Sequence, residues 1–143
     1  MDDETFIKEF ESCTLPYEAW THRAHVKVAY VYLGRFPYEE ARNFVREGIK
    51  RYNASKAIPE GPTSGYNETT TCALFHLVAA SLDAYGPDPS VSDAESFCDF
   101  HPQLMSSKIL RLFYSPERRM HKNAKTQFIE PDLAPLPSLK RLQ

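Results

Sequence analysis

Two imidazoles three residues apart, His22 and His25, lie in the segment Trp20-Thr21-His22-Arg23-Ala24-His25. Residues three apart on a helix share a face, and this face continues through Ala29 and Tyr32, which turns it inward. Thr21 is a good N-cap, with Trp20 before it to pack back on the first turn. Both histidines then fall in that first turn, where the positive end of the helix dipole disfavours an extra proton. A neutral imidazole is the form that takes up a proton or ligates a metal.

A carboxylate stands in a similar position in the segment Tyr66-Asn67-Glu68-Thr69-Thr70-Thr71. Glu68 opens another helix and shares a face with Cys72, Phe75 and Ala79, so it points toward the core. A carboxylate turned inward needs a partner, because an unpaired buried charge is costly. The expectation is that the two helix starts face each other across a small pocket, with His22, His25 and Glu68 as its catalytic set. The same three side chains form a His-His-carboxylate set able to take a divalent metal, zinc or iron. Tyr66, Asn67, Thr70, Tyr114, Ser115 and Arg118 complete the polar surroundings as substrate-binding candidates. Each residue also has a plain structural reading. His22 reads as a solvent-facing residue of a capping turn and His25 as a hydrogen-bonded core histidine. Glu68 reads as a dipole-matched acid, Ser115 as a cap and Arg118 as a surface pair. His76 falls on the opposite side of its helix, and His101 and His121 read as loop or surface residues.

The elements that must hold these groups are helical throughout. Phe6, Ile7 and Phe10 give a short amphipathic helix over 3–12, and Leu15-Pro16-Tyr17 ends that pattern. Residues 22–33 are apolar on most faces, which marks a buried helix, and Gly34 is placed to end it. Pro37 suits the first turn of the next helix, whose apolar set is Ala41, Phe44, Val45, Ile49 and Tyr52. Ser55 to Gly65, with Pro59, Gly61 and Pro62, is a loop by composition, either a lid or a connector. A helix over 68–85 follows, stopped by Gly86-Pro87. Ser92-Asp93-Ala94-Glu95 reads as a capping box opening a short helix that ends at His101-Pro102. Ile109, Leu110, Leu112 and Phe113 mark another helix, and Ser115-Pro116 starts a last short one. Pro131, Pro135 and Pro137 then forbid helix, so the chain ends in an extended tail over 126–143. The predicted fold is all-α: one compact domain of about five to seven helices over 1–143, with a proline-rich tail.

Bulk composition removes several classes. With 143 residues the chain is long enough for one core without staples. A formal net charge of −2 with mixed signs gives no broad field for nucleic acid or an anionic membrane, although Lys140 and Arg141 are locally basic. Cys13, Cys72 and Cys98 show no metal-ligand spacing, and an odd, scattered number fits reduced thiols. Met1-Asp2-Asp3-Glu4 has no apolar core of a secretory signal, and no apolar run reaches the length of a membrane span. The expectation is a soluble, cytoplasmic protein. No glycine-rich phosphate loop, nucleophile elbow or Cys/His nucleophile pair is present in the sequence.

Four motifs in order carry a resemblance: Thr21-His22-Arg23-Ala24-His25, Tyr66-Asn67-Glu68-Thr69-Thr70-Thr71, Tyr114-Ser115-Pro116-Glu117-Arg118, and Phe128-Ile129-Glu130-Pro131-Asp132-Leu133-Ala134-Pro135-Leu136-Pro137. In this order the chain resembles a family of small uncharacterised all-helical proteins whose second motif usually reads Tyr-His-Glu-Thr. The family has no assigned reaction, so the resemblance implies a shared pocket and no chemistry. Asn67 departs from it where histidine is usual, which removes a third imidazole from any metal site.

Two functions from different classes follow. One is a small enzyme in which Glu68 or a neutral His25 acts as general base on a small molecule, with or without a metal, in isomerisation, elimination or hydrolysis. The other is a binding module using the same pocket for a small molecule or partner peptide without turnover. Two converging helix starts favour an anionic ligand in either case. A third reading, a purely structural domain, uses the same motifs as caps and packing devices.

Overall fold

The computed structural model describes residues 1–140 and is all-α, 60% helical with seven α-helices and no strand among those residues. The helices are α1 (Asp3–Glu11), α2 (His22–Leu33), α3 (Tyr38–Ser55), α4 (Glu68–Tyr85), α5 (Ala94–Phe100), α6 (Pro116–Arg119) and α7 (Lys122–Thr126). Short 3-10 turns cover Tyr17–Ala19, Pro102–Met105 and Ile109–Leu112.

The largely apolar α2 packs against α1, α3, α4 and α5. Val26, Val28, Ala29, Val31 and Tyr32 are buried on several of its faces, so no side of its middle is left to solvent. Burying a Val or Ile side chain contributes roughly 1.5–3 kcal/mol, so this helix is the natural axis of the fold. Its start is locked from outside: Arg23 reaches Glu95 at 2.7 Å and Asp99 at 3.1 Å, and Lys27 reaches Glu95 at 2.5 Å. These ion pairs tie α2 to α5.

Local chemistry sets the helix ends. Thr21 accepts the Ala24 amide at 3.2 Å, and Asn67 accepts the Thr70 amide at 2.9 Å. Gly86 takes φ of 66°, a conformation that favours glycine, and ends α4. Gly48 serves a different need: a Cβ there would lie 2.7 Å from the Phe10 ring, so its absence lets α1 and α3 approach. Some ends differ from expectation. The capping box of α5 is Asp93 with Ser96, not Ser92 with Glu95, because Glu95 is drawn to Arg23 and Lys27. Pro37, expected within the first turn of α3, is its cap, and the helix starts at Tyr38. The helix expected around Ile109–Phe113 is a 3-10 turn, and α7 was not foreseen.

The tail is non-helical from Gln127 to Lys140 and is clasped along its length; Arg141, like the rest of the expected tail beyond 140, lies outside the described residues. The Thr69 hydroxyl donates to Gln127 O at 2.9 Å and accepts the Ile129 amide at 3.2 Å. The Leu133 amide donates to Phe113 O, and the Lys140 amide to Asp83. Leu139 is buried against Ala79 and Ala80. No helix among the described residues is long and apolar enough to cross a membrane.

Candidate functional site

The start of α2 opens on a cavity of about 270 Å³ lined by His22, His25, Thr70, Leu74, Ser107, Ile109 and Leu110. The two helix starts therefore do meet: α2 contributes its imidazoles and α4 contributes Thr70 and Leu74. Three aliphatic side chains and two hydroxyls make up the rest of the lining.

Backbone carbonyls orient both rings. His25 Nδ1 lies 2.7 Å from Thr21 O, and a carbonyl only accepts, so Nδ1 carries the hydrogen. The same oxygen also takes the His25 amide at 3.1 Å. His25 Nε2 is then the acceptor nitrogen, and it has no hydrogen-bond partner among the described residues. Trp20 covers one face of the ring, with centroids 3.9 Å apart. His22 Nε2 donates to Leu104 O at 2.8 Å, which leaves Nδ1 as the acceptor of the neutral ring. Loss of hydration pushes the His25 pKa down to about 4, against the Thr21 carbonyl, which favours the charged form; His22 nearby lowers it further. At neutral pH the ring is an acceptor.

Glu68 is not in this cavity, which corrects the expected set. Glu68 and Thr70 are two residues apart on α4, hence about 200° around the helix, so when Thr70 faces α2 the acid faces α3. There it meets Arg46, with Nε at 2.8 and 3.0 Å from its two oxygens and a terminal nitrogen at 2.7 Å. The Tyr66 hydroxyl donates to it at 2.5 Å. Burial alone would raise the Glu68 pKa, but the Arg46 and Tyr66 hydrogen bonds outweigh it and hold the acid below its ordinary value. Tyr66 is raised by burial and by the same carboxylate. A separate cavity of about 340 Å³ is lined by this group with Lys50, Glu60, Lys125 and Thr126. The metal set of His22, His25 and Glu68 is accordingly not assembled: among the described residues no three His, Cys, Asp or Glu side chains are placed to hold an ion.

The remaining candidates divide between caps and the tail. Asn67 caps α4 and lines a third cavity with Thr70. Tyr114, expected at the pocket, is buried and donates to Ile129 O at 2.8 Å. Ser115 caps α6 and donates to Asp132 at 2.5 Å, and Arg118 Nε donates to Glu130 O at 2.8 Å. These three hold the tail. His76 sits between the Tyr38 hydroxyl at 2.8 Å and Pro137 O at 2.5 Å, again beneath the tail. His101, read as a loop or surface residue, lies in the connection after α5 but is buried there among Tyr85, Phe97 and Phe100. The three cysteines are free, and burial pushes the Cys72 and Cys98 thiols up to about 11.

Arg46 is the residue that sequence reasoning missed. It reads as part of the charged outer face of α3, and only the facing of α4 reveals its partner. Compared with family models, curated proteins and solved structures, the chain matches none.

Proposed function

We propose that the protein is a small helical enzyme that binds a small, partly apolar molecule in the imidazole cavity and moves a proton on it. The observation supporting this reading is the His25 ring, tethered through Nδ1 to Thr21 O with Nε2 left unpartnered beside the cavity. A base needs a fixed tautomer and a free lone pair, and this ring has both. A pKa near 4 makes it fully available at neutral pH but reluctant to hold a proton. Such a base suits a substrate whose proton is already acidic, as in isomerisation or elimination next to a carbonyl, better than hydrolysis of an unactivated bond. His22 Nδ1 is the second acceptor, and the Thr70 and Ser107 hydroxyls are the donors that would orient the substrate. Three free thiols and a mixed surface charge support a cytoplasmic setting with small-molecule rather than nucleic-acid or membrane partners.

A second reading is a binding module that uses the same cavity without turnover. It is favoured by the engagement of Glu68, the acid expected to complete the set, with Arg46 and Tyr66. One experiment tests both. Wild-type protein and His25→Gln are incubated with an extract of small metabolites, followed by mass spectrometry for consumption and ring-proton NMR for binding. Consumption that depends on His25 supports the enzyme, whereas ring shifts without consumption support the module. Neither effect with any compound removes both readings.

A further inference from the structure

The start of α4, the 62–65 loop and the segment from α6 into α7 enclose a cavity of about 510 Å³. Its charge is one-sided. Arg119, His121, Lys122 and Lys125 line it together with Asn67 and Thr70, and no aspartate or glutamate does. Several basic side chains elsewhere have acids beside them: Arg23 with Glu95 and Asp99, Arg35 with Glu4, Arg42 with Glu39, Arg46 with Glu68. Glu60 borders this cavity through Lys125 and Gly65 without lining it.

The individual groups differ in what they have left to give. Lys125 is spent on the wall itself: it donates to Ser64 O at 2.8 Å and Tyr66 O at 2.6 Å and pairs with Glu60 at 3.1 Å. It pins the loop in place. The Arg119 side chain has no acceptor and no acid among the described residues; its Nε is shut off from solvent, which leaves the terminal nitrogens as the donors an anion could reach. A half-enclosed guanidinium left without an anion is costly, and a bound anion offsets that cost through paired, charge-assisted hydrogen bonds. The Lys122 ammonium is exposed and likewise unpaired. His121 accepts the Asn123 amide through Nδ1 at 3.1 Å, so in the neutral ring Nε2 carries a hydrogen and donates. The positive end of the 18-residue α4 opens on the same space and adds to the field.

We propose that this cavity is a phosphate-binding site that takes the phosphate group of a small molecule. Its donors come from Arg119, Lys122 and His121, with the Thr70 hydroxyl beside them. The volume exceeds what a free anion fills and falls within the range of small-molecule pockets. Thr70 also lines the imidazole cavity, so the two sites adjoin at one residue, but the phosphate site does not depend on the chemistry proposed for His25.

The test is an amide NMR titration of the full chain at constant ionic strength, with inorganic phosphate in one arm and glycerol 3-phosphate in the other. Saturable shifts confined to residues 62–70 and 119–125 are expected. Arg119→Gln should weaken binding about tenfold, the loss of one charge-assisted contact. Lys122→Gln is an exposed change that leaves folding intact, and it should weaken binding by a smaller factor. His25→Gln should change phosphate affinity by less than about twofold, which keeps this result separate from the fate of the imidazole site. Tighter binding of glycerol 3-phosphate identifies a phosphorylated metabolite, and equal binding identifies phosphate itself as the ligand. Shifts that do not saturate, or that persist unchanged in both the Arg119 and Lys122 variants, overturn the site.

Discussion

The starts of α2 and α4 are built alike and finished differently. Each has a polar cap that satisfies a first-turn amide, Thr21 in one and Asn67 in the other, followed at once by a titratable residue. At α2 the imidazoles are tethered to backbone carbonyls, which spends one nitrogen of each ring and leaves the other. At α4 the carboxylate is consumed by Arg46 on one side and Tyr66 on the other. A carboxylate attracts donors from every neighbouring element, whereas a neutral ring held by one carbonyl keeps a free acceptor. The contrast leaves free acceptor nitrogens at the first helix start and a paired acid at the second.

The strongest way to break this contrast is acid. With the folded His25 pKa near 4 and an ordinary value of 6.5, both states are neutral above about pH 6.5 and the ring then contributes no pH dependence. As pH falls through 6.5 the unfolded chain takes up a proton that the folded chain refuses until about pH 4. Stability is therefore lost across that window by up to about 3 kcal/mol and levels off below it. Urea melts from pH 7 to 4, compared with His25→Gln, measure this loss; an identical pH slope in the variant contradicts it.

Glu68→Ala comes next. It strands the half-buried Arg46 and should cost about 2–3 kcal/mol, with the coupling read from a double-mutant cycle with Arg46→Ala. Additive losses in that cycle mean the pair stabilises nothing. Thr21→Ala and Asn67→Ala should each cost about 1 kcal/mol in thermal or urea melts, the usual value of a cap. The smallest effect concerns the separation itself: Glu68→Gln should leave the His25 ring titration within about 0.3 of its wild-type midpoint by NMR, because screened charges in separate cavities interact weakly. A larger displacement would join the two regions into one site.

The helices themselves were legible because their apolar spacing and their caps agree. Residues 22–33 and 68–85 read from the sequence with the bounds observed. The missed α7 has only Ala124 buried, so it carries no apolar period to read. The site was half legible. Spacing shows that His22 and His25 share a face, and it shows that Glu68 turns inward, but not toward which neighbour. That depends on how α3 and α4 pack, which places Arg46 closer than any imidazole. The partners of Tyr114, Ser115 and Arg118 were not legible for a related reason. Their partners Ile129, Asp132 and Glu130 lie in a segment whose prolines predict only extension, and extension does not say where the chain returns.

One oxygen atom ties the fate of the proposed base to the birth of its helix. Thr21 O accepts both the backbone N–H and the ring N–H of His25, so a frayed α2 is also a helix with a freely spinning imidazole. Heat or denaturant that melts this first turn would disarm the ring well before the bundle comes apart, and inactivation would run ahead of unfolding.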